Sequence, residues 1–318
     1  MLIGVLLGTI IVLRSSSWIL IWLGLELNLI SFLPFINLNR KQKKNRIIYY
    51  LVQSYGSLLI LFGGLLEENF HRFFWLVLIG LILKMGIIPF HFWVPTIIID
   101  FNIFQCFVLL TWQKLAPLSI FLILNFDSLI WTLIILNRVL GSVIVINSVD
   151  IRLVILFSSI NHIGWLFSIL SNTKLLWFYL IIYFILLIPI FINLNNLIIN
   201  VEINKSLMLN ILNLGGIPPL SGFFLKICAL RVINIEYRFF LILGSSITLY
   251  AYSRTLLSSF YSTRKNKFEK EVFDSWFDEN RIILFKEKKR QLIFRTFSFL
   301  SCYRGIFIFS LLKYYFSI

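Results

Sequence analysis

Residues 81–95 read LILKMGIIPFHFWVP. A single lysine, Lys84, stands in an apolar run, and Gly86 and Pro89 follow it closely. The ring residues Phe90, His91, Phe92 and Trp93 come next, and Pro95 closes the stretch. A charged side chain at mid-bilayer costs roughly 2.5–3.5 kcal/mol on insertion scales, so charges there are rare and usually functional. Proline removes a backbone donor and breaks a helix, and lipid tolerates broken backbone only where protein or water surrounds it. The stretch therefore predicts an interrupted membrane helix whose lysine faces a hydrated, protein-lined interior.

The rest of the chain supports a membrane setting. Of 318 residues, 59% are hydrophobic and 14% charged, with a mean hydropathy of +0.91. A soluble domain carries about 25% charge. The apolar residues fall in blocks of about 20, the length of a membrane-crossing helix. The expected fold is an all-α polytopic membrane protein of about eleven transmembrane helices. They are marked at roughly 1–13, 17–37, 46–66, 73–95, 103–124, 128–148, 152–171, 175–194, 206–231, 236–260 and 291–314. The N-terminal MLIGVLLGTIIVL has no basic leader and no small-residue cleavage site, so it reads as a first span.

The formal net charge of +15 does not point to nucleic acid, because the basic residues are grouped in loops. Arg40, Lys41, Lys43, Lys44 and Arg46 form one group, and the region after Arg264 forms another. Basic loops between apolar spans follow the positive-inside rule, which places these loops and the N-terminus on the matrix or cytoplasmic side. Three domains are expected: a transmembrane core over 1–260, a basic segment over 261–290, and a C-terminal transmembrane helix within 291–318. Within the basic segment, Phe268, Phe273, Trp276 and Phe277 alternate with charges, which fits either a surface helix or a solvated loop.

Three isolated cysteines and three histidines give no metal-ligand spacing, and no glycine-rich nucleotide loop is present. The expectation is a chain with no metal, redox or nucleotide cofactor of its own.

Ionisable residues interrupt several of the apolar stretches. They are Glu26 in the second, Lys84 in the fourth, Lys114 in the fifth, His162 in the seventh and Lys226 in the ninth. None suits lipid, so they are expected to face a common interior. An amine held out of water can bind and release a proton in the working range, and a nearby carboxylate couples to that exchange. Histidine can pass a proton between its two nitrogens. Glu26 with Lys84 is thus a candidate coupled pair, with Lys114, His162 and Lys226 as onward stations. Each residue also has a packing alternative. A lysine could reach the interface, Glu26 could fix helix packing, and His162 could be a core histidine bonded to Ser158 and Ser159. His91, among aromatics near a span end, is a secondary candidate.

A second interruption matches the first. Gly215, Gly216, Pro218 and Pro219 stand inside an apolar stretch, with Lys226 beyond them. Gly86 and Pro89 form the corresponding break in the first half. Paired broken helices in two halves of a chain point to inverted repeats with a transport site between them. Lys84 precedes its break and Lys226 follows its own, which fits a repeat inverted in the membrane.

Five stretches carry a family resemblance: SSSWILIWLGLELNLISFLPF (15–35), LKMGIIPFHFWVP (83–95), LLTWQKLAP (109–117), LFSSINHIGW (156–165) and LNLGGIPPLSGFFLK (212–226). In this order they resemble the subunit 2 family of NADH–ubiquinone oxidoreductase, an antiporter-like subunit of the membrane arm of respiratory complex I. The resemblance implies inverted five-helix repeats, two broken helices and a central polar axis. By motif, Glu26 corresponds to the family's glutamate, Lys84 and Lys226 to its broken-helix lysines, and Lys114 to its connecting lysine. It also implies the mitochondrial inner membrane as location, and other membrane-arm subunits, further antiporter-like ones among them, as partners beside membrane lipids. NADH, FMN, iron–sulfur clusters and ubiquinone would be held elsewhere in the assembly. The sequence departs from the family at KKN (43–45), where an acidic residue is usual, and at Arg152-Leu153, where Arg-Lys is usual. The alternative reading is a subunit of a multi-subunit cation/proton antiporter, which shares the lysine and broken-helix pattern.

Overall fold

The computed structural model describes residues 2–36, 40–69, 73–124, 127–148, 150–199, 205–218, 220–233 and 235–274. Among these residues the chain is helical throughout, with no strand. In order the helices are α1 (Leu2–Arg14), α2 (Trp18–Phe32), α3 (Arg40–Asn69), α4 (Phe74–Met85), α5 (Trp93–Asp100), α6 (Ile103–Leu110) and α7 (Leu115–Ile123). They continue with α8 (Asp127–Asn147), α9 (Ile151–Ser168), α10 (Thr173–Ile199), α11 (Lys205–Gly215), α12 (Ser221–Val232) and α13 (Ile235–Asp274). Short 3-10 turns at Leu33–Phe35 and Trp112–Lys114 extend α2 and join α6 to α7.

Five stretches among the described residues are long and apolar enough to cross a membrane: Trp18–Phe35, Lys43–Glu67, Ile103–Ile123, Ile151–Ser168 and Thr173–Asn195. Shorter apolar helices, including α1 and α4, accompany them. The stretch 291–314 and residue Pro219 lie outside the described residues. So does the basic segment beyond Asp274, whereas its beginning continues α13 without a break.

The chain divides into two compact units, Met1–Ile144 with Arg152–Leu170, and Val145–Ile151 with Ser171–Ile318. In the first unit, helices meet through glycines, as membrane helices do when backbones approach closely. A Cβ on Gly8 would lie 2.7 Å from the Gly24 carbonyl oxygen, which brings α1 against α2. One on Gly80 would lie 2.6 Å from the Gly56 oxygen, which does the same for α3 and α4. Large apolar side chains such as Ile19, Leu23, Leu27 and Ile30 on α2 stay exposed, one to two helical turns apart. That stripe suits contact with lipid tails. Helix α9 differs, since every residue from 154 to 168 is buried.

The break after α4 is closed by hydrogen bonds to several of the freed groups. Gly86 adopts the left-handed conformation (φ 62°, ψ 43°), which glycine reaches without a Cβ penalty. Its N–H donates to the Leu83 carbonyl, and the Ile87 N–H donates to that of Ile82, both at 3.2 Å. This is the Schellman pattern of a glycine-ended helix. The Gln53 side chain donates to the Lys84 carbonyl at 3.0 Å, and the Trp93 indole to the Leu83 carbonyl at 3.2 Å. From α8, Asn137 Oδ1 accepts the Ile88 N–H at 3.1 Å. The Ile88–Pro89 peptide is cis.

The second unit closes its break with residues of its own hairpin. Gly216 is also left-handed (φ 78°), and its N–H donates to the Leu212 and Asn213 carbonyls at 3.1 and 3.0 Å. Asn213 Oδ1 accepts the Ser221 hydroxyl and the Gly222 N–H, each at 3.0 Å, and so caps the start of α12. A Cβ on Gly222 would lie 1.9 Å from the Asn213 carbonyl oxygen.

A third interruption, beyond the two expected from sequence, lies between α6 and α7. Pro117 has no N–H for the Gln113 carbonyl, and its ring crowds that carbonyl. The turn before it tightens to the 3-10 form over Trp112–Lys114, which re-aims Lys114.

Candidate functional site

In the first unit, Glu26, Lys84 and Lys114 are carried by α2, by the last turn of α4 and by the 3-10 turn between α6 and α7. Glu26 is half-buried, while Lys84 and Lys114 are each only 6% exposed. Glycine makes room for Lys84, because a Cβ on Gly56 would lie 3.0 Å from its Cγ. The Glu26 carboxylate is near enough for a Coulombic attraction to the Lys84 ammonium. Among the described residues the two form no contact ion pair, and the Glu26 carboxylate is engaged by the Ser57 hydroxyl of α3.

Ser57 has a second acceptor, the Ser54 carbonyl, at 2.8 Å. A hydroxyl carries one proton and two lone pairs, so it serves one acceptor at a time. With Glu26 ionised, Ser57 donates to it. With Glu26 protonated, the carboxylic acid donates to Ser57, and the hydroxyl proton turns to Ser54.

Lys84 and Lys114 line one cavity of about 10 Å³, together with Tyr49, Gln53, Gln113 and Ser159. That volume is about the room one water needs, and the lining supplies polar partners for it. Gln113 Nε2 donates to Asn28 Oδ1 at 3.0 Å, tying this wall to α2, two residues beyond Glu26. Lys114 Nζ donates to Ser159 Oγ at 3.0 Å, and Ser159 donates in turn to the Leu156 carbonyl at 2.6 Å. This hydroxyl can reverse as Ser57 can: a deprotonated lysine would accept its proton.

His162 is buried on α9, three residues beyond Ser159 and 7% exposed. The Ser158 and Ser159 hydroxyls both donate to carbonyls of their own helix, those of Ile155 and Leu156. Lys226 belongs to the second unit. Its amine donates to the Gly215 carbonyl, and its tail lies over Gly216, where a Cβ would meet Nζ at 3.0 Å. The Lys226 amine, reaching back from α12, thus sits at the C-terminal end of α11, and Lys84 stands in the last turn of α4. The aligned peptide dipoles give such an end a partial negative charge that favours a cation.

The structure therefore brings Glu26, Lys84, Lys114 and Ser159 into one neighbourhood, sets His162 on the helix bearing Ser159, and places Lys226 in the other unit. Among the described residues no group of three or more histidine, cysteine or acidic side chains could hold a metal ion.

Sequence reasoning missed several residues of this site. Ser159 is legible only as a partner for His162, not for Lys114, and Ser57 carries no signal of its own in an apolar run. Asn137 and Asn213 do, since a carboxamide in lipid needs partners as a charge does. Arg138, 1% exposed on α8, is the plainest omission, because it stands near the middle of the sixth marked stretch. The rule that singled out the lysines applies to it unchanged.

Residues 64–206 match the family model described as NADH:quinone oxidoreductase/Mrp antiporter, TM. The chain is 33% identical over 290 residues to NADH-ubiquinone oxidoreductase chain 2 of Anopheles gambiae, covering 81% of this chain and 84% of that one. To the protein of the same name from Bos taurus it is 32% identical over 304 residues, with coverages of 84% and 87%. Among solved structures, a chain of respiratory complex I from Thermus thermophilus with bound aureothin is similar with a TM-score of 0.69. The identity is 20%, and the match covers 78% of this chain and 67% of that one. A chain of the Mrp complex from Dietzia sp. DQ12-45-1b is similar with a TM-score of 0.70 at 16% identity, over 79% of this chain and 58% of that one. At these identities both structures speak for the fold.

Proposed function

Because the chain belongs to the NADH-ubiquinone oxidoreductase chain 2 family, we propose that it is a proton-translocating subunit of the membrane arm of complex I in the mitochondrial inner membrane. It takes part in the NADH:ubiquinone reductase reaction as a subunit only. NADH, FMN, iron–sulfur clusters and ubiquinone are held by other subunits, and this chain contributes charge transfer. Its partners are the other membrane-arm subunits, further antiporter-like ones among them, and membrane lipids.

The observation that carries this reading is the cavity shared by Lys84 and Lys114, with Glu26 acting on Lys84. A proton leaving Lys84 has one water-sized space to cross before it meets Lys114. Lys114 is bonded to Ser159, and His162 follows on the same helix. The hydroxyls of Ser57 and Ser159 keep Glu26 and Lys114 hydrogen-bonded in either protonation state, so neither is stranded unpaired when its proton leaves. Lys226 serves the second unit in the same capacity, stabilised at the end of α11.

Lys84→Met and Lys114→Met test the proposal in the assembled complex. Each is expected to lower NADH-driven proton uptake into closed vesicles while the complex still runs at full size on a native gel. Unchanged uptake with full assembly would refute the relay. The similarity of fold to an Mrp complex supports a second reading, a subunit of a cation/proton antiporter. Migration of the chain in a small assembly without NADH dehydrogenase activity would favour it.

A further inference from the structure

Arg138 is a fully buried cation that the relay does not use. Its guanidinium donates to the Asn161 carbonyl at 3.2 Å, and its Cζ lies 5.0 Å from the centroid of the Trp165 ring. Its aliphatic stem occupies the space left by Gly164, where a Cβ would come within 2.7 Å of the Arg138 Cδ. The bond is reciprocated once the Asn161 amide is turned so that its nitrogen faces α8, the orientation that satisfies both its ends: it then donates to the Asn137 and Arg138 carbonyls at 2.9 and 3.2 Å. All of these partners belong to the first unit.

Placement on α9 gives the arrangement its meaning. At 3.6 residues per turn, Asn161 and Gly164 lie across the helix from Ser159. Lys114 therefore holds α9 on one side and Arg138 holds it on the other. The two cations differ in chemistry. An ammonium out of water can shed its proton, whereas a guanidinium stays charged in any protein environment. Arg138 is thus positive whether or not Lys114 carries a proton. Fixed arginine charge is a known means of excluding protons and cations from a membrane path.

We propose that Arg138 is a fixed-charge barrier, anchored to α9 through Asn161 and Trp165, which confines the mobile proton to the Lys114 side of that helix and so prevents uncoupled leak. This rests on the relay reading given above.

The test measures protons moved per NADH oxidised in the intact complex reconstituted in liposomes. Arg138→Gln removes the charge and keeps a polar side chain, and it should lower the ratio by at least about two-fold. Arg138→Lys keeps a charge that can be lost. Its ratio should match the parent near pH 6.5 and fall toward about pH 8.5 as the ammonium gives up its proton, while the parent ratio stays level. A purely structural role would leave that pH profile like the parent's, so a level profile for Arg138→Lys overturns the proposal even if Arg138→Gln does not assemble. An unchanged ratio in assembled Arg138→Gln overturns it too. Lys114→Met, measured alongside, separates the two ideas. If it leaves the ratio intact, the relay reading fails. If it lowers the ratio and Arg138→Gln does not, the barrier alone fails.

Discussion

The amine of Lys114 and the hydroxyl of Ser159 lie 3.0 Å apart, and that hydroxyl donates a hydrogen bond to the Leu156 carbonyl. Lys114 is thereby joined to α9, which is buried at every residue from 154 to 168. Hydrogen bonds to a charged group contribute about 1.5–3 kcal/mol. Ser159→Ala should therefore slow proton transfer by roughly ten- to a hundred-fold, since 1.4 kcal/mol is a factor of ten. Ser159→Thr, which keeps the hydroxyl, should retain most of the rate. Proton uptake per NADH in closed vesicles, read beside a native gel, distinguishes the two variants.

Glu26→Gln keeps a hydrogen-bonding group for Ser57 and deletes the charge that acts on Lys84. Proton uptake should fall while assembly stays complete. Ser57→Ala removes the reversible hydroxyl and leaves the charge, so its effect should be smaller than that of Glu26→Gln and no more than the roughly 1.5–3 kcal/mol of one hydrogen bond to a charged group. If Ser57→Ala proved the more damaging of the two, the charge on Glu26 would not be the operative feature.

The breaks make separate predictions about stability. Asn137→Leu leaves the Ile88 N–H buried without its acceptor, at a cost of about 1–3 kcal/mol. Asn213→Leu strips two donors at the start of α12, and should cost more. The midpoint of heat-induced loss of the assembled complex should fall for both variants, further for Asn213→Leu.

Alanine at the glycines should follow the clashes. At Gly222 a Cβ meets backbone, the Asn213 carbonyl oxygen at 1.9 Å, and no side-chain movement relieves it. At Gly216 it meets the flexible Lys226 tail at 3.0–3.1 Å, with the left-handed backbone adding about 1–2 kcal/mol. Gly222→Ala should abolish assembly. Gly216→Ala should assemble in reduced amount and pump less, because it displaces the lysine. Comparable yields of assembled complex from the two would contradict this order.

Much of the fold was legible because lipid enforces simple rules. Blocks of apolar residues marked the helices, and glycine beside proline marked the breaks at Gly86 and Gly216. The interruption at Lys114 was harder to read, since Pro117 acts one turn upstream, where the sequence itself looks regularly helical. The charged members of the site were visible for the same reason as the helices. Their hydroxyl partners were not, because serine is common in apolar spans and its role depends on which neighbour it faces. Arg138 shows the opposite error. Its signal was plain, and attention to lysine and glutamate chemistry passed over a cation that cannot exchange its proton.

The chamber between Lys84 and Lys114 has a consequence for what can travel through the first unit. A space of about 10 Å³ is about the room for one water, and both lysines that line it are cations when protonated. A proton can cross it by bonds being exchanged along hydroxyls, amines and water. Like charge on protonated Lys84 and Lys114 then disfavours a metal cation in that space. Replacing sodium by choline in the medium should leave the transport rate of the intact assembly where it was.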